Sequence, residues 1–143
     1  MEFEVDVSGE DLLGKNYTIC IASKEGSIIK GFKFSEELIS ILSSRYGQGI
    51  YKYLISKKGK VSLKVRIYCV VICNLFKSLN LQGDLSLHIC RDFDGYENEI
   101  RENLKSLFKK ELSARIDNRI YFTRLHPESN AHKYAYLMRA DTK

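Results

Sequence analysis

Apolar and polar residues alternate over Phe3-Glu4-Val5-Asp6-Val7, the period-two pattern of a strand with one face buried. Two more strand-like runs follow at 16–22 and 28–34. Gly9 and Gly14 punctuate the first connection, and Lys24-Glu25-Gly26-Ser27 supplies a hairpin turn for the second, so the chain opens as a three-stranded antiparallel meander. Ser35 then offers an N-cap. Glu36 and Glu37 favour the positive end of the helix dipole, and Leu38, Ile39, Ile41 and Leu42 give an apolar face that ends near Gly47. A short helix is expected over 48–56, broken by Gly59 before a longer one over 61–79, where Val61, Val65, Tyr68, Ile72 and Phe76 recur at helical spacing. The β-branched composition of 65–72 leaves a strand there as the alternative. After a Gln82-Gly83-Asp84 turn come a fourth strand over 85–90 and an amphipathic helix over 96–112, with Ile100, Leu104, Leu107, Phe108 and Leu112 on one face. A fifth strand at 119–125 precedes Pro127, which opens a last helix running to Ala140. This order predicts an α/β fold: a mixed five-stranded sheet, made of the meander plus two further strands, flanked by helices.

Composition narrows the picture. A chain of 143 residues with a single proline and no low-complexity tract reads as one domain over 1–143. Its most apolar run, 67–76, is far short of a bilayer crossing, and the acidic opening residues do not form a signal peptide, so a cytoplasmic protein is expected. The four cysteines sit in apolar surroundings as reduced core residues, and Cys69 and Cys73 lack the further Cys or His pair of a zinc site. No Gly-rich phosphate loop, serine nucleophile elbow or Cys-His pair is present, which disfavours covalent catalysis.

The formal charge of +5 and pI near 9.0 fit a nucleic-acid partner. Lys57, Lys58, Lys60, Lys64 and Arg66 gather around Gly59, and Lys109, Lys110, Arg115, Arg119 and Arg124 form a second basic stretch. The first group is the candidate nucleic-acid contact. Tyr46, Tyr51 and Tyr53 beside it are placed either to stack on bases or to pack at the edge of the core.

Against that basic background one carboxylate stands out. Asp6 occupies an apolar strand, where aspartate is depleted and costly to bury unpaired. Asp92 and Asp94 follow the fourth strand, and Asp141 follows the last helix. Several carboxylates drawn from separate elements are a donor set for hard divalent cations.

In this order and placement the chain resembles the ribonuclease H-like superfamily of metal-dependent nucleases, transposases and junction resolvases, over almost its whole length. Val5-Asp6-Val7-Ser8-Gly9 is similar to a branch whose first strand ends in Asp-x-Ser-Gly, and Ala140-Asp141 to that branch's terminal Ala-Asp. The resemblance implies two-ion Mg²⁺ or Mn²⁺ chemistry at a phosphodiester, with Asp6 bridging both ions, Asp92 or Asp94 binding one and Asp141 completing the other. The family often takes a fourth carboxylate from within the first helix; Glu37 is the candidate here, although Glu36 and Glu37 lie at that helix's start. His132 precedes Asp141 by nine positions, about 180° around a helix, so the two are not expected on one face. His126 reads as a loop residue, with a general base as the alternative, and Ser129 and Asn130 as caps, with a ligand contact as the alternative. The leading expectation is a metal-dependent nuclease. The rivals are a non-catalytic nucleic-acid-binding domain of the same fold and a homodimer built on the apolar stretch 65–76.

Overall fold

The computed structural model describes residues 1–14, 16–47, 57–93, 95–116, 119–124 and 129–140, with the backbone alone at 47, 57 and 58. The opening meander forms as the alternation requires. β1 (Glu2–Ser8) pairs antiparallel with β2 (Thr18–Ser23), which pairs antiparallel with β3 (Ile29–Lys33). Ser35 caps α1 (Glu36–Gly47), its Oγ accepting the Leu38 amide at 3.1 Å.

The next element, α2 (Lys57–Leu79), settles the helix-or-strand alternative. Val65, Tyr68, Cys69, Ile72 and Phe76 are buried at spacings of three and four, a stripe that a helix puts on one face. One expectation is corrected. Gly59 lies inside α2 rather than breaking it, because good helix formers surround it and a single glycine costs only about 1 kcal/mol. Within the apolar stretch 65–76, Val65, Tyr68, Cys69, Ile72, Cys73, Leu75 and Phe76 are buried in the core, and Ile67 and Val71 are partly buried against it. The helix expected over 48–56 lies outside the described residues.

β4 (Gly83–Asp84) is a two-residue strand where a turn was expected, and it pairs with β6 (Ala114–Arg115) in a small separate sheet. β5 (Ser86–Ile89), α3 (Glu97–Glu111), β7 (Ile120–Phe122) and α4 (Asn130–Ala140) complete the order. The main sheet has five strands in the order β3-β2-β1-β5-β7, with β5 parallel to β1 and β7 parallel to β5.

Alternation along β1 separates two faces. Phe3 meets Phe76 of α2 edge-on at 4.9 Å, and Phe76 meets Phe108 of α3 at 5.5 Å, so this face carries the main core. Asp6, an odd number of positions from Phe3, points to the other face. There α4 crosses β1, β2 and β3. Its approach is close because the contact residues are small: Ala131 and Ala135 are fully buried, and a Cβ added to Gly31 would collide with Met138 Sδ. No described helix is long and apolar enough to cross a membrane.

Candidate functional site

The three parallel strands β1, β5 and β7 end on one side of the molecule, the place where open α/β sheets gather ligands. A cleft of about 810 Å³ opens there, lined by Asp6, Cys90, Arg91, Phe122, Thr123, Arg124 and His132. β1 supplies Asp6 from within the central strand, the turns after β5 and β7 supply the arginines, and the first turn of α4 supplies the histidine.

Asp6 is 6% exposed, and both carboxylate oxygens are engaged. Oδ1 accepts the Val7 amide at 2.8 Å, and Oδ2 accepts from His132 Nδ1 at 2.7 Å. The histidine is placed by its helix start: Ser129 Oγ accepts the His132 amide at 3.2 Å, confirming Ser129 as the cap. With its side chain 51% exposed, the imidazole bridges the buried carboxylate and the open cleft.

Cys20 faces Asp6 across the β1–β2 register, and Cys90 follows β5 on the other side. Burial pushes the Cys20 thiol up to about 12, with the charge of Asp6 adding to the effect. Burial, then the Asp6 charge, drives the Cys90 thiol higher still. Both stay protonated at neutral pH, which leaves them poor nucleophiles.

Cations rim the cleft. Arg91 and Arg124 are exposed, and Arg91 is tethered by its Nε, which donates to the Phe122 carbonyl at 3.3 Å. The Phe122 ring is itself held beneath Arg101, whose guanidinium carbon lies 5.2 Å from the ring centre.

The other predicted residues fall elsewhere. Asp92 does not line the cleft; its Oδ2 accepts the Tyr17 hydroxyl at 2.5 Å. Burial and the adjacent Asp92 charge hold the Tyr17 phenol far above its ordinary range, so it remains a donor. Tyr68, fully buried, has no hydrogen-bond partner for its hydroxyl among the described residues. Glu37 is exposed in the first turn of α1, which follows the edge strand β3, and it is not in the cleft. Asp94, Asp141 and His126 lie outside the described residues.

Of the basic cluster, Lys60 is exposed on α2, whereas Lys64 is 15% exposed and paired with Asp11 at 2.8 Å. The side chains of Lys57 and Lys58, and all of Tyr51 and Tyr53, are outside the described set. Tyr46 is 7% exposed and packs inward rather than offering a face to bases.

The sequence reading did not place His132, Arg91, Thr123 or Arg124 in the candidate site: Arg124 entered it only within the second basic stretch, and His132 only by its spacing from Asp141. A signal existed for three of them, since Arg91, Thr123 and Arg124 directly follow the carboxyl ends of strands, where ligand contacts concentrate. His132 had none, because its partner is 126 positions away.

Among the described residues no three of His, Cys, Asp and Glu converge as a metal-binding group. The donors that do converge are one carboxylate and one imidazole. They are engaged with each other, His132 Nδ1 against Asp6 Oδ2, and the carboxylate is the member of the pair whose oxygens suit a hard cation such as Mg²⁺ or Mn²⁺. Comparison of the chain with protein-family models, curated proteins and solved structures finds no match.

Proposed function

We propose that this protein is a nuclease of the ribonuclease H-like type, acting on nucleic-acid phosphodiesters with Mn²⁺ or Mg²⁺. The observation that carries the reading is Asp6: a buried carboxylate in the central strand, opening into a cleft whose rim holds Arg91 and Arg124. A carboxylate alone would repel a phosphodiester, and arginines alone would only bind one. Their conjunction suits a site where a cation and a phosphate meet.

The sheet adds support. An antiparallel meander leading into two further strands parallel to the first, in the order β3-β2-β1-β5-β7, is the arrangement expected of that superfamily. Asp6 would hold an ion, with Asp141 as a proposed further ligand; the ion would supply water activation and charge stabilisation. Arg91 and Arg124 pair with the non-bridging phosphate oxygens, while His132 orients the Asp6 carboxylate by its 2.7 Å contact.

The test is cleavage of labelled single-stranded, duplex and hybrid oligonucleotides with Mn²⁺, comparing the wild type with Asp6→Asn after both are shown to be folded. Loss of at least a hundredfold in rate is expected in the variant. Equal rates would reject the assignment. The contact between His132 and Asp6 also favours a second reading, a non-catalytic nucleic-acid-binding domain in which the pair is a closed structural contact. In that case binding falls steeply with salt, needs no metal, and calorimetry with Mn²⁺ shows no heat of binding.

A further inference from the structure

The main cleft does not end at His132. A second cavity of about 370 Å³ is lined by His132, Lys133, Tyr136 and Leu137, so the same imidazole borders both spaces. Spacings of three and four put these side chains along one side of α4. Tyr136 is 62% exposed and Leu137 56% exposed, an aromatic and an aliphatic surface left in water beside a cation. On β7 another ring is open: Tyr121 is 47% exposed and stacks on His88 at 5.1 Å, which fixes its orientation. Tyr121 and the cleft residue Thr123 lie two positions apart and so share a side of the chain.

We infer that the cleft and the adjoining α4 surface form a track for single-stranded nucleic acid, with Arg91 and Arg124 on the backbone and Tyr136 stacking on a base. The inference rests on the proposed nuclease reading for its choice of polymer and goes beyond it in substrate class and contact residues. It also moves the nucleic-acid surface away from the lysines of α2.

Charge and shape argue for a strand over a duplex. A duplex keeps its bases stacked inside and offers phosphates and groove edges, which an exposed tyrosine face cannot use. An unpaired strand offers base faces and a flexible backbone, and rings interleaved with cations answer both. The concavity agrees, because Asp6 is only 6% exposed and a flexible strand reaches down to it more readily than a rigid helix does.

The experiment is fluorescence anisotropy of the wild type in EDTA, which separates binding from metal-dependent cleavage. Labelled fifteen-nucleotide dT and rU strands are compared with a duplex of the same length. Binding of a single strand at least tenfold tighter than the duplex is expected, with Tyr136→Ala weakening it by about fivefold or more, as loss of one stacked base predicts. Tyr136→Phe should bind like the wild type, because the ring and not the hydroxyl makes the contact. Ile41→Ala, which removes an exposed apolar residue of α1, should have no effect.

Equal affinity for duplex and single strand, or unchanged binding by Tyr136→Ala, would overturn the track. So would a Tyr136→Ala variant whose only change is loss of self-association in sedimentation, which would make this face a protein interface. Failure of the nuclease reading looks different: single-strand binding and its Tyr136 dependence persist, and no Mn²⁺-dependent cleavage accompanies them.

Discussion

The Asp6–His132 contact should be energetically coupled, and a double-mutant cycle measures it. The perturbations are Asp6→Ala, His132→Ala and the pair together. Hydrogen bonds to a charged partner contribute about 1.5–3 kcal/mol when well made, and this one is 2.7 Å long with the Asp6 side chain 9% exposed. The histidine is 51% exposed, so water competes at its end, and a coupling of about 1–2 kcal/mol follows. His132→Ala alone strands Oδ2 in a nearly buried place and should cost about 2 kcal/mol. With an unfolding entropy near 0.3 kcal/mol/K for a chain of 143 residues, each kcal/mol lowers the melting temperature by about 3 °C. Urea unfolding followed by far-ultraviolet circular dichroism is the assay; the chain has nine tyrosines and no tryptophan, so tyrosine fluorescence provides a second signal. If the two single losses sum to the loss in the double variant within about 0.3 kcal/mol, the pair is not coupled and the reasoning is refuted.

Three further outcomes are expected. Tyr68→Phe should leave stability unchanged or raise it by up to about 2 kcal/mol, since it removes a buried hydroxyl with no partner among the described residues, whereas Tyr17→Phe should cost about 1 kcal/mol by taking the donor from Asp92; urea midpoints decide both. Burial raises the pKa of all four thiols, to about 12 for Cys20, so a thiol reagent at pH 8 should react slowly with the native protein and promptly with all four once guanidinium unfolds it. Burial pushes the Asp11 carboxyl up, but the hydrogen bonds from Lys64 and the Leu13 amide and the charges of Lys64 and Lys60 together outweigh it, for a net lowering below the ordinary 3.8; a depressed carboxylate stabilises the fold above its unfolded pKa and loses that contribution as pH falls through the folded one. Lys64→Met should therefore cost up to about 1 kcal/mol at pH 6, given the exposure of Asp11, and the difference should vanish in acid; a gap that persists at pH 2 would contradict the pair's role.

The strands and helices were largely legible because their signals are local. Alternation over 3–7, the Ser35 cap and the apolar stripe on α3 each depend on neighbours within a few residues, and each element formed. The errors were local competitions decided by context. Gly59 carries a breaking signal that the continuity of α2 overrode, and Gly83-Asp84 carries a turn signal, yet pairing with β6 drew it into a strand.

By itself the sequence determined the order of the five main strands and the helices Glu36–Gly47, Glu97–Glu111 and Asn130–Ala140, the anomaly of a carboxylate at Asp6 and the cationic excess of the chain. It did not determine which residues meet. Helix spacing measured His132 only against Asp141, because periodicity relates positions on one element and says nothing of the element packed against it. The docking of α4 across β1 to β3, made close by Ala131, Ala135 and Gly31, brings His132 onto Asp6; likewise the fold of the β1–β2 loop turns Tyr17 onto Asp92, and the Asp11–Lys64 pair withdraws one lysine from the expected nucleic-acid surface. Such convergences join residues as far as 126 positions apart, and they follow from how whole faces pack, a property that no local window of the chain contains.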